Sequence, residues 1–97
     1  MKTIKRVYEV EVEVLEYTDI AAKILTLQAN DSIDFNKKDF EDEDLQNASL
    51  KAFDSLGIKY SKEISPSIKL YEHPRHKSLT YTTKWNDAKD TITITRL

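Results

Sequence analysis

The sequence predicts an α+β domain: one antiparallel sheet of about four to five strands, with one or two helices packed on one face, in the order β-(α)-α-β-β-β-β. Three observations carry that prediction. Residues 8–17 alternate between apolar and acidic side chains. Residues 39–57 carry an apolar stripe at helical spacing and end on the only glycine of the chain. Residues 57–97 return to alternation, in runs rich in Ile, Tyr and Thr. No linker, repeat or low-complexity tract divides the 97 residues, so residues 1–97 form a single domain of ordinary size.

The elements follow in order. In "YEVEVEVLEY" (8–17) Tyr8, Val10, Val12 and Val14 point one way and Glu9, Glu11 and Glu13 the other, the pattern of a half-buried strand with a wet acidic face. "TDIAAKILTLQAN" (18–30) places Ile20, Ile24 and Leu27 at i, i+4 and i+7 behind Thr18 as an N-cap; a short helix is favoured, and a strand through "KILTLQ" stays open. "NDSIDFNKK" (30–38) reads as a loop with a few extended residues around Ile33 and Phe35.

"DFEDEDLQNASLKAFDSLG" (39–57) is the clearest helix. Leu45, Ala48, Ala52, Phe53 and Leu56 share one side, Asp39 is a candidate N-cap, and Gly57 suits the left-handed position that stops a helix. Strands follow at 57–64 (Ile58, Tyr60 and Ile64 on one face), 67–72 (Ile68 with Leu70), 78–85 and 90–97. The last two form a hairpin. Pairing Trp85 with Asp90 sets Thr83 against Ile92 and Tyr81 against Ile94, which gathers Leu79, Tyr81, Trp85, Ile92 and Ile94 on one face and the threonines on the other.

Composition excludes several chemistries. Without cysteine there are no disulfides, thiolate metal sites or cysteine nucleophiles. A single glycine cannot build a phosphate loop, a dinucleotide turn or a nucleophile elbow, each of which needs two or three. His73 and His76, in "YEHPRHKS", stand at H-x-x-H spacing without a third histidine; the plain reading is a basic loop turned by Pro74. The expectation is a non-enzymatic protein with no metal and no cofactor. Glu9, Glu11 and Glu13 break up the N-terminal segment, and no apolar run approaches the ~20 residues of a membrane span, so a soluble cytoplasmic protein is expected.

The net charge of −2 hides an uneven distribution. Residues 1–56 hold 7 Lys/Arg against 13 Asp/Glu, a balance of −6; residues 57–97 hold 8 against 4, a balance of +4. The densest feature is the run Glu41, Asp42, Glu43, Asp44, more carboxylates than a helix dipole needs at its positive end. Glu9, Glu11 and Glu13 add a second row, spaced about 6.6–6.8 Å apart on a strand and so near phosphate spacing.

The leading expectation is therefore a protein that uses this acidic surface to occupy a basic site, such as a nucleic-acid channel, on a larger partner as inhibitor or regulator. Small anti-defence proteins of phages and mobile elements, anti-CRISPR proteins among them, act in this way; the parallel is one of size and charge. The alternative is single-stranded nucleic-acid binding through Arg75, His76, Lys77 and Lys84, with Trp85 or Tyr71 stacking on a base. A third expectation is a structural homo-oligomer, with "VEVEVLEY" pairing to a copy of itself in a homodimer.

Overall fold

The computed structural model describes residues 2–7, 10–40 and 44–97, with side chains from Leu15 onward. Glu9, Glu41, Asp42 and Glu43 of the expected acidic surface lie outside the described residues, and Glu11 and Glu13 are described as backbone only. The architecture is α+β. Strands β1 (Lys2–Val7) and β2 (Val10–Leu15) form an antiparallel pair of their own. Helix α1 (Tyr17–Thr26), strand β3 (Ser32–Asn36), a 3-10 turn (Lys37–Asp39) and helix α2 (Leu45–Ser55) follow. Strands β4 (Lys59–Ser65), β5 (Ile68–Glu72), β6 (Thr80–Trp85) and β7 (Thr91–Arg96) complete a five-stranded antiparallel sheet in the order β3-β7-β6-β5-β4. No helix among the described residues is long and apolar enough to cross a membrane.

Both helices lie on one face of this sheet. Their apolar stripes, Ile20 and Ile24 from α1 and Leu45, Ala48, Ala52 and Phe53 from α2, bury against Phe35, Tyr71, Tyr81, Ile92 and Ile94. Phe53 is the centre of that layer: its ring stacks on Tyr71 at 4.5 Å between centroids and tilts against Tyr81 at 6.0 Å. Tyr81 is wholly buried, and its hydroxyl donates to the carbonyl of Ile24 at 3.3 Å, so the buried polar atom is satisfied by the helix it supports.

Several expectations are corrected. The acidic alternating segment is shorter than 8–17: β2 ends at Leu15, and Tyr17 opens α1. Its partner is β1 of the same chain and not the main sheet, because register sets Thr3 opposite Val14 and Arg6 opposite Glu11. The N-cap of α1 is Glu16, not Thr18; Asp19 accepts from the Glu16 amide at 2.8 Å and so holds the first turn.

The supposed loop around Ile33 and Phe35 is the edge strand β3. Only two of its residues are apolar, and its polar ones bond across to threonines of β7: Ser32 with Thr95 at 2.8 Å, Thr93 donating to Asp34 at 2.6 Å and Asn36 donating to Thr91 at 3.2 Å. Period-two hydrophobicity is faint in a strand whose second face is held by polar pairs.

Helix α2 starts at Asp44 and not at Asp39. Phe40 is buried, extended and edge-on to Phe35 at 6.3 Å, and sinking that ring into the core stops any helix that began at Asp39. Asp44 then caps α2, accepting from the Asn47 amide at 3.2 Å. The other end follows expectation: Gly57 has φ +75°, and the amides of Gly57 and Ile58 close onto the carbonyls of Asp54 and Phe53.

The β6–β7 hairpin has the expected faces and a register displaced by two residues. Trp85 pairs with Ile92, Thr83 with Ile94 and Tyr81 with Arg96. The cause is Asn86, whose side-chain oxygen accepts from the amides of Asp90 and Thr91 at 3.0 and 3.2 Å, while its own amide donates to the Thr91 carbonyl. Residues 87–90 thereby become the turn, with Lys89 at φ 56°. A shift of two leaves every side chain on its own face, so alternation assigns the faces without deciding the register.

Candidate functional site

At the end of the sheet beside the first turn of α2, the last inward-facing residues are only partly covered. On β6 that residue is Trp85. On β5 it is Lys69, which stands opposite Thr83 of β6 and Glu63 of β4. Three short segments wall this end: the start of α2, the Pro66–Ser67 turn between β4 and β5, and the Asn86–Lys89 turn between β6 and β7. Together with Lys37 of the 3-10 turn they enclose a cleft of about 480 Å³, within the range of small-ligand sites.

Lys37, Lys69 and Lys89 converge on the cleft, and none of the three is ion-paired with another described residue. Lys69 is half-buried, where a counter-charge counts for more than at an exposed site. Asp44 and Asp87 stand among the lysines. One oxygen of Asp44 is spent on the α2 cap, and Asp87 makes no hydrogen bond among the described residues. The turn is tied by side-chain hydrogen bonds: those from Asn86 and then Thr91 hold the Asp90 carboxyl below the usual carboxylate range, with Lys37 a smaller influence. Behind Gln46, Lys69 and Trp85 a recess of about 70 Å³ continues beneath α2, lined by Leu50, Phe53, Tyr71 and Ile92.

The residues singled out from sequence are dispersed. Asp44, exposed, lies at the cleft; Glu9 and the rest of the 41–44 run lie outside the described residues, and Glu11 and Glu13 belong to β2. Arg75, His76 and Lys77 sit together, all exposed, on the β5–β6 loop at the opposite end of the sheet. Lys77 is 3.9 Å from Glu72, an exposed pair of little energetic weight. Lys84 does not join them. It lies four residues along β6 from Thr80, roughly 13 Å by strand rise, on the outer face opposite Ile68 and Thr93. Tyr71 is closed to a ligand base by its stack on Phe53, whereas Trp85 remains half-buried at the cleft.

Lys37, Lys69 and Lys89 carry no signal in the sequence. Lys37 stands beside Lys38, while Lys69 and Lys89 are single lysines, all in unremarkable segments, and "SIKLYE" is ambiguous because Ile68 and Leu70 compete with Lys69 and Tyr71 for the inner face. Pairing Tyr71 with the buried Tyr81 settles it and turns Lys69 inward.

The β5–β6 loop is organised by His73. Its Nδ1 accepts from the amides of Arg75 and His76, both at 3.0 Å, which requires that nitrogen to be unprotonated. Burial pushes its pKa below the ordinary histidine value, and the positive charges of His76, Arg75 and Lys77 push the same way. A depressed folded-state pKa means that the contribution of His73 is complete above about pH 6.5 and is lost as pH falls below that value. The protection factors of the Arg75 and His76 amides, taken against the intrinsic exchange rate at each pH, are expected to fall between pH 7.5 and pH 5. His73→Asn, which offers an oxygen acceptor in place of Nδ1, is expected to remove that fall; an equal fall in the variant would show that another group opens the loop.

No protein-family model, no curated protein and no solved structure matches this chain, so the cleft and the loop are read from their own geometry.

Proposed function

We propose that this chain acts by binding, without catalysing a reaction, and that the cleft at the Trp85 end of the sheet is its contact site for an anionic group of a partner. The observation that carries this reading is the gathering of three lysines, none ion-paired with another described residue, around the only tryptophan of the chain. Complementary charge both steers and orients an encounter. Supporting the non-catalytic part of the reading, the two histidines lie on the loop at the far end of the sheet from the cleft.

The acidic run supports a second reading, in which the chain occupies a basic site on a larger protein as inhibitor or regulator. Its support is the excess of 13 Asp/Glu over 7 Lys/Arg in residues 1–56, and the position of Asp44 at the cleft. The two readings separate in one pull-down, comparing the wild-type chain with a Glu41→Gln, Asp42→Asn, Glu43→Gln, Asp44→Asn variant and a Lys37→Gln, Lys69→Gln, Lys89→Asn variant. Asn is as good an N-cap as Asp, and it tolerates the positive φ of residue 89, so both baits keep their helix and turn. The expected result is a partner held by the wild-type and acid-neutralised chains and lost from the lysine variant. Loss from the acid-neutralised bait alone would transfer the function to residues 41–44.

A further inference from the structure

Resting on the cleft as the contact site, we infer that its ligand is a nucleoside phosphate, bound with the base against Trp85 and the phosphate among Lys37, Lys69 and Lys89. Three features of the cleft favour this chemistry over a simple anion or an acidic peptide. The first is the indole itself, half-buried on the sheet and bordering both the cleft and the small recess of mixed polarity behind it. An aromatic surface of that kind offers a planar base a stacking partner, an interaction that tolerates any base.

The second is the mixture of charge. An acidic peptide would meet Asp44 and Asp87 as well as the lysines, and the carboxylates would repel it. A nucleotide uses both signs: the lysines take the phosphate, and carboxylate oxygens accept from the exocyclic amino group of adenine, cytosine or guanine. The second oxygen of Asp44 and the carboxylate of Asp87, neither bonded among the described residues, can serve in this way. The third is size. About 480 Å³ holds one nucleotide and not a folded element of a protein, and the cleft lies open at the end of the sheet, so a strand can enter and leave on either side of the bound unit.

The same chemistry is presented by a free nucleotide and by one unit of a single strand. Adenine-containing probes suit the carboxylates, and uracil, which lacks an exocyclic amino group, is the natural contrast.

Because Trp85 is the only tryptophan, its emission reports on this cleft alone. Full-length chain is titrated with adenosine 5′-monophosphate, uridine 5′-monophosphate, oligo(dA) and an oligo-glutamate peptide at two salt concentrations. Saturable quenching by the adenine probes is expected, stronger than by the uridine probe. It should weaken about three- to tenfold in each of Lys69→Gln and Lys37→Gln, variants whose fold is verified by circular dichroism. Binding of oligo(dA) far tighter than the mononucleotide, with a steep salt dependence, assigns the source to a single strand; equal binding assigns it to a free nucleotide.

Quenching that ignores the lysine substitutions would overturn the inference, since the base would then be adsorbing elsewhere. If oligo-glutamate alone shifts the emission, and the lysine variants abolish that shift, the nucleotide falls while the cleft stands. If no probe changes Trp85, both fall.

Discussion

Phe53→Ala is expected to lower stability by about 3–5 kcal/mol, a large part of the 5–15 kcal/mol that holds a domain of this size. The residue is 1% exposed and lies where α2 meets the middle of the sheet. Truncation removes its stack on Tyr71 and its tilted contact with Tyr81, and it leaves a void under two rings that cannot follow a methyl group inward. Tyr81 is held from its far side by the hydroxyl bond to Ile24, and Tyr71 by Tyr60 packed edge-on at 5.7 Å, so neither is free to collapse into the gap.

Urea unfolding should show the loss as a lower midpoint with unchanged slope, and thermal unfolding as a fall of more than about 12 °C. Leu50→Ala, at an exposed position of the same helix, should stay near wild type. A loss at Phe53 below about 1.5 kcal/mol would mean that the two tyrosines repack and that the layer is less rigid than its geometry indicates.

Arg96→Met is expected to cost about 2 kcal/mol, although the residue is charged, half-exposed and next to the last in the sequence. Its guanidinium ties two separate parts of the fold to β7. Nη1 donates to the carbonyl of Leu27 at 2.6 Å, just past the end of α1, while Nε and Nη2 donate to Ser78 in the β5–β6 loop at 3.3 and 3.2 Å. The backbone of the same residue is bonded to Asn30 and Asp31. Methionine keeps the aliphatic stem and removes the donors, so the loss isolates the hydrogen bonds. Equilibrium unfolding gives the magnitude, and faster amide exchange in residues 27–31 gives the location. Lys77→Met, which removes one member of an exposed pair at 3.9 Å, is the matched control and should change stability by less than about 0.5 kcal/mol.

These two residues mark the boundary of what is legible in the chain. Phe53 belongs to a stripe repeating at 3.6 residues and closed by Gly57, and both signals act within a few residues of each other, so local pattern alone reveals the helix and its buried face. The inward faces of β6 and β7 are legible for the same reason: alternation assigns a face even when the register is off by two. Arg96 carries no local signal, because its acceptors lie 18 and 69 residues away in the chain.

The candidate site divides in the same way. Asp44 and Trp85 stand out in the sequence as a helix-start acid and a strand aromatic, and the structure places both at one cleft. The lysines that give the cleft its charge come from the 3-10 turn, β5 and the β6–β7 turn, and only closure of the sheet brings them together. The basic residues that stand out by density, Arg75 to Lys77, lie at the other end of the sheet from Trp85, and Lys84 is on the other face.

By itself the sequence determined the class of fold, the faces that β6, β7 and the second helix turn to the core, and the chemistries denied by one glycine and no cysteine. Those properties follow from short-range periodicity and from what single residues can do. Only the tertiary structure decided that the acidic strand pairs with β1, that a polar segment is the edge strand β3, and that Asn86 moves the last hairpin by two. It alone decided that three separate lysines face one tryptophan. Each of these depends on which distant backbone or side chain completes a hydrogen bond or covers a ring, and partners at long sequence separation leave no mark on local pattern.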